Sequence, residues 1–131
     1  MKHLCKRDLD LFHVVQKIMG ELARANCLNL KSVRPLEKRK CARYFGRCSV
    51  KGNIRMRVRD VKNGKWAGRD EPYQIVDTMA HELAHLYSQQ HGIGWFRAHT
   101  HLLHQMSSSV PPKVAGSASG VSIYERILAL C

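Results

Sequence analysis

The sequence predicts an α+β fold: an N-terminal helix, a small three-stranded sheet, a helix carrying a paired-histidine motif, and a following helix. Three observations carry this reading. Apolar residues recur at helical spacing near the start and again in the middle of the chain; a strictly alternating segment lies between them; Pro and Gly punctuate the joins. With 131 residues, 44% of them hydrophobic and 24% charged, the chain matches one ordinary globular domain and excludes a collagen-like or wholly disordered one. A chain of this length folds without disulfides. Its five cysteines are odd in number and form no C-x-x-C pair, so they read as free thiols or small buried hydrophobes.

The first helix is expected over residues 8–26, with Asp8 as cap and Leu11, Val14, Val15, Ile18, Leu22 and Ala25 at helical spacing. Residues 31–40 are basic and broken by Pro35, which suits an edge strand or an extended loop. A strand within residues 41–50, a glycine turn at residues 51–53 and a strand over residues 54–59 complete a hairpin. In that last strand Ile54, Met56 and Val58 face one way and Arg55, Arg57 and Arg59 the other. Residues 60–71 read as a polar loop. Pro72 opens a second helix over residues 72–88, with Ile75, Val76, Met79, Leu83 and Leu86 inward. Gly92 and Gly94 break the chain before a third helix over residues 95–106. Residues 1–106 form the main domain. Residues 107–120, rich in Ser, Gly and Pro, read as a flexible linker. Residues 121–131 read as a short closing helix, with Ile123, Tyr124, Ile127 and Leu128 inward.

The net charge is +12, and residues 31–69 hold fourteen Lys and Arg against Glu37 and Asp60 alone. That segment therefore carries the whole excess, while the rest of the chain is neutral. A focused cationic stretch attracts phosphates. Arg43, Arg47, Arg55, Arg57 and Arg59 are the candidate nucleic-acid contacts. Tyr44, Phe45 and Trp66 lie among them, and stacking beside a cationic groove suits single-stranded DNA or RNA, although core packing is the plainer use of Tyr44 and Phe45. A solvated face is the plainer use of the same charge.

His81-Glu82-Leu83-Ala84-His85 is an H-E-x-x-H motif. A shuffled chain of this composition contains it about 0.02 times, so histidine richness does not explain it. On a helix the two imidazoles stack on one face and can grip one Zn2+ ion, with Glu82 placed to act on a water as general base. His91 is the natural third ligand, but on an unbroken helix it would lie on the wrong side. The helix must stop before it, and Gly92 and Gly94 ease that reversal. His99, His101 and His104 are rival ligands. His3 and His13, far off in sequence, read as solvated or capping histidines. A metzincin needs glycine three residues after the second histidine, where this chain has Ser88.

At these residues the chain resembles the SprT-like metalloproteases, the group of Spartan and of the YgjP-type compact zincins. Arg43-Tyr44-Phe45-Gly46-Arg47-Cys48 is similar to the family's glycine–aromatic strand, and Ile54-Arg55-Met56-Arg57-Val58 to the edge strand that follows it. Residues 77–86 are similar to its active-site helix, and His91-Gly92-Ile93-Gly94-Trp95-Phe96 to its third-ligand segment. The resemblance spans residues 8–106. It implies a compact helix–sheet–helix zincin and cleavage of proteins bound or crosslinked to DNA.

The leading expectation is a zinc metalloprotease: a monomer acting on a protein or peptide substrate, with His81, His85 and His91 on the metal and Glu82 catalytic. Substrate is expected to add as a strand to the edge formed by residues 54–59. Asp77, one turn before His81, is expected to orient that imidazole. Tyr87, Tyr124, His99 and His101 are open candidates for the oxyanion donor. The alternatives are a nucleic-acid-binding module with a structural zinc site, and an inactive zincin serving in interactions. No apolar run reaches the length of a membrane span, and the first residues show no apolar signal core, so a cytoplasmic location, with or without association with DNA, is expected.

Overall fold

A computed structural model of the chain describes residues 6–35, 46–56, 59–62, 65–69, 72–107 and 122–130. Helix α1 (Lys6–Ala25) buries Leu11, Phe12, Val15, Ile18, Met19 and Leu22 along one face. Asp8, expected as its cap, falls inside the first turn. The helix ends in a Schellman pair: Leu28 N donates to Ala23 O at 2.8 Å and Cys27 N to Arg24 O at 3.2 Å. The left-handed position of that cap is held by Cys27, with φ of 55°, where glycine is usual.

Strands β1 (Ser32–Pro35), β2 (Gly46–Cys48) and β3 (Asn53–Met56) form a three-stranded sheet in the order β1-β3-β2. β1 runs parallel to β3, and β2 antiparallel to it. Val33, Ile54 and Met56 face the core, while Arg34, Arg47, Asn53 and Arg55 face out. The β2–β3 turn closes through Gly52 N to Ser49 O at 3.1 Å. Gly52 has φ of 92°, and a Cβ there would meet Asn29 O at 2.5 Å, so the turn admits only glycine.

Three expectations are corrected here. The alternating segment is divided between two sheets. Among the described residues the β3 ladder reaches Met56, opposite Pro35 of β1 and Gly46 of β2. Arg59 instead starts β4 (Arg59–Lys62), which pairs antiparallel with β5 (Lys65–Arg69) in a separate hairpin. The residues read as a polar loop thus include two strands. Asn63-Gly64, the strongest short hairpin signal, stands between them, and Val61 and Trp66 are cross-strand partners. Nor is its β3 part a sheet edge: β3 is the central strand, and among the described residues the edges are β1 and β2. Arg43, Tyr44, Phe45 and Arg57 lie outside the described residues.

Helix α2 (Pro72–Tyr87) starts on its proline as expected and buries Ile75, Val76, Met79, Ala80, Leu83 and Ala84. It packs against α1, β2, β3, α3 (Ile93–Ser107) and α4 (Ile123–Leu130). In α4, Ile123 and Ile127 reach the core, Tyr124 is half-buried and Leu128 is exposed. Ser122 Oγ accepts from Glu125 N at 3.0 Å; Ser122 and Glu125 have capping-box spacing. Most of the expected linker, from residue 108, lies outside the described residues. Among the described residues no helix is long and apolar enough to cross a membrane.

The two unusual turns have opposite expected responses. Cys27→Gly relieves a left-handed side chain that costs about 1–2 kcal/mol, less the added freedom of the unfolded chain. It should stabilise the protein by up to about 1 kcal/mol in urea denaturation. Gly52→Ala should destabilise it by about 1–3 kcal/mol. Loss of stability in the first variant, or none in the second, would contradict these backbone assignments.

Candidate metal centre

α2 presents His81 and His85 one turn apart, and the chain leaves the helix after Tyr87 to bring His91 back toward them before α3 begins at Ile93. The three side chains each offer a ring nitrogen to one small space, all within 4.8 Å of one another. His81 Nε2 lies 3.2 Å from His85 Nε2 and 3.3 Å from His91 Nε2. One N–H cannot point at both, so hydrogen bonding alone does not account for the cluster. Three nitrogens bound to one tetrahedral ion at about 2.0–2.1 Å would lie about 3.3 Å apart, so the arrangement fits a metal ion.

The protonation of His85 supports the same reading. Its Nδ1 lies 3.1 Å from Ser88 O. A carbonyl only accepts, so Nδ1 carries the proton and Nε2 keeps its lone pair for the cluster. Burial, then the charges of His85, His91 and His99, push His81 down to about 4. Burial also lowers His85. Near neutral pH these two imidazoles are uncharged, the form that binds a cation.

Glu82 is 4% exposed, and its Oε2 is buried with no partner. Burial raises its carboxyl to about 7. Its Oε1 lies 3.9 Å from His81 Nε2. A buried carboxylate oxygen without a partner calls for a functional explanation. β2 closes over it: a Cβ on Gly46 would stand 2.9 Å from Glu82 Cγ and 2.9 Å from Thr78 Cγ2. Beside it the Cys48 thiol is pushed up to about 11 by burial and by the Glu82 charge, which keeps it a neutral neighbour rather than a nucleophile.

Asp77 does not orient His81. Its Oδ1 lies 3.1 Å from His99 Nε2, because α3 crosses α2 here and supplies a nearer partner. His99 stacks on Trp95 with ring centroids 4.9 Å apart and planes 15° apart. Trp95 sits edge-on to His81 and donates from Nε1 to His81 O at 3.3 Å. The neighbour that fixes His81 is therefore Trp95, which reading along α2 alone did not reveal. Gln89 ties the loop down, donating to His85 O at 2.9 Å.

His101 and His104 are exposed on α3, away from the three-nitrogen cluster. Of the four oxyanion candidates, His99 stands beside the cluster, its ring centroid 6.0 Å from that of His81. Of the cationic candidates, Arg47 and Arg55 are exposed and directly opposite one another on β2 and β3, and Arg59 lies on the separate hairpin. Comparison with protein-family models, curated proteins and solved structures finds no match to this chain.

Ala at His81, His85 or His91 should cut bound metal at least about tenfold in elemental analysis, whereas Ala at His99 should leave it in place. Retention in His91→Ala would remove that residue from the ligand set. Gly46→Ala forces a methyl against the stems of Glu82 and Thr78. It should lower stability by about 1–3 kcal/mol in chemical denaturation, and an unchanged midpoint would show that β2 stands further from α2.

Proposed function

We propose that this chain is a zinc endopeptidase of the SprT-like kind. The observation that carries the reading is the buried, unpartnered Glu82 carboxylate beside three converging imidazole nitrogens. Zinc suits an all-imidazole donor set, and bound there it would supply a Lewis acid and lower the pKa of water toward neutrality. A structural site normally closes with four protein ligands; the described residues bring three together, which favours an open, reactive site over the structural alternative.

Glu82 is the general base. With its pKa near neutrality, its carboxylate takes a proton from the attacking water and returns it to the departing amine. The β2 edge, whose Gly46 lies against Glu82, is the place for substrate. Among the described residues β2 pairs with β3 alone, so its outer backbone groups can accept an extended peptide as an added strand. The peptide would then pass beside Glu82. The cationic segment would bring the enzyme to proteins held on DNA or RNA. We assign it to a reducing compartment such as the cytoplasm, acting as a monomer.

Glu82→Gln tests the mechanism. The amide keeps the shape of the site but cannot take the proton, so peptide cleavage should fall about a hundredfold or more with metal content unchanged. Undiminished turnover would remove Glu82 from catalysis.

A further inference from the structure

The pairing registers place three arginines in one row. Arg34 of β1 is opposite Arg55 of β3, and Arg55 is opposite Arg47 of β2. All three are exposed on the outer face. Neighbouring strands are about 4.8 Å apart, so the row spans about 10 Å across the sheet. Like charges set directly opposite one another destabilise a sheet. Among the described residues, the adjoining row on this face is the neutral pair Ser32 and Asn53, joined by a 2.8 Å hydrogen bond. Neither Arg34 nor Arg55 has a carboxylate partner among the described residues. The Arg34–Arg55 pair is a local cost that an anion would offset.

At the β1 end the row opens into a cleft of about 450 Å³ between α1 and the sheet, lined by His13, Gln16, Arg34 and Arg55, with Phe12 as an apolar wall. Gln16 Nε2 donates to Val33 O at 2.8 Å, so that carbonyl on the β1 edge under the cleft is already engaged. The cleft has the volume of a small-ligand pocket, room for one nucleotide but not for a base-paired duplex. Arginine suits phosphate because its planar fork can donate two parallel hydrogen bonds.

We propose that the Arg34–Arg55–Arg47 row is a track for single-stranded nucleic acid, which crosses the sheet at right angles to its strands and seats one nucleotide in the cleft between α1 and β1. The track rests on the reading that the cationic segment contacts nucleic acid, and gives that reading a site and a direction. Arg34 and His13 join the contact set. Arg59, on the separate hairpin, leaves the track. The far end of the row, Arg47, is adjacent in sequence to Gly46, the residue packed on Glu82. A strand on this track therefore leads to the β2 edge, where a protein attached to it would meet the metal centre.

The test is fluorescence anisotropy of a labelled fifteen-nucleotide oligo-dT strand titrated with metal-loaded protein over a range of salt. The double variant Arg34→Gln, Arg55→Gln should weaken binding about tenfold or more and flatten the log–log salt slope by about 1.4, two phosphates' worth for a single strand. Lys62→Gln with Lys65→Gln, which removes the same charge from the hairpin, should change affinity less than about threefold. His13→Glu, at an exposed helix position, should weaken binding about fivefold through the cleft. Arg34→Lys with Arg55→Lys should keep the salt slope but lose affinity, which separates loss of the fork from loss of the fold; metal content reports folding in each variant. If the hairpin variant loses as much as the arginine pair, or His13→Glu has no effect, the track is wrong while the broader reading stands. No binding by the wild-type protein at low salt would overturn both. Tight binding of inorganic polyphosphate without binding of the oligonucleotide would replace the partner class and overturn the track.

Discussion

Helix α2 has to bury most of an apolar circumference and still carry His81, Glu82 and His85 within two turns. Much of the structure follows from that demand. α1 and α4 cover its apolar sides, and β2 can approach Glu82 because Gly46 has no side chain. α3 crosses it with Trp95, whose ring packs on the His81 ring and whose N–H binds the His81 carbonyl. Each neighbour removes water from these residues, which lowers the pKa of His81 and raises that of Glu82. The same desolvation thus prepares two opposite chemistries on adjacent residues: an uncharged imidazole ready for a cation, and a carboxyl able to hold or release a proton near neutral pH.

The helices were legible because their apolar positions repeat with the period of the element itself. The three-histidine cluster was legible for a related reason: His81 and His85 are one turn apart, and Gly92 and Gly94 signal the reversal that returns His91. What escaped were features set by pairing rather than by spacing. Nothing local says that Ser32 lies beside Asn53 in a parallel ladder, so neither the central place of β3 nor the alignment of Arg34, Arg55 and Arg47 could be read along the chain. The β4–β5 hairpin was hidden by its charged residues, although Asn63-Gly64 was there to find. Asp77 was matched to His81 because both are on α2; its actual partner, His99, comes from another helix. The capping spacing of Ser122 and Glu125, by contrast, is present in the sequence itself.

Cys27 and Gly52 mark how tightly the sheet is tied to the first helix. The left-handed Cys27 turns the chain so that Leu28 and Leu30 pack against the core. Asn29 then lies beneath Gly52, and Gly52 O accepts from Lys31 N at 2.9 Å. Those contacts align β1 with β3. The relative position of α1 and the arginine face therefore depends on two residues with positive φ, neither of which touches the metal centre.

The two edges of the sheet are unequal. Gln16 occupies the Val33 carbonyl on the β1 side, while among the described residues no strand lies beyond β2. An open edge invites self-association, and a second copy is the competitor that a peptide would meet there. Arg47 is the middle residue of β2's three. A symmetric antiparallel pairing of two β2 strands would therefore set Arg47 against its own counterpart, a like-charge contact that opposes dimerisation. A peptide with an acidic or neutral residue at that register would suffer no such repulsion. One side chain would thus let the edge discriminate between a guest chain and a copy of itself.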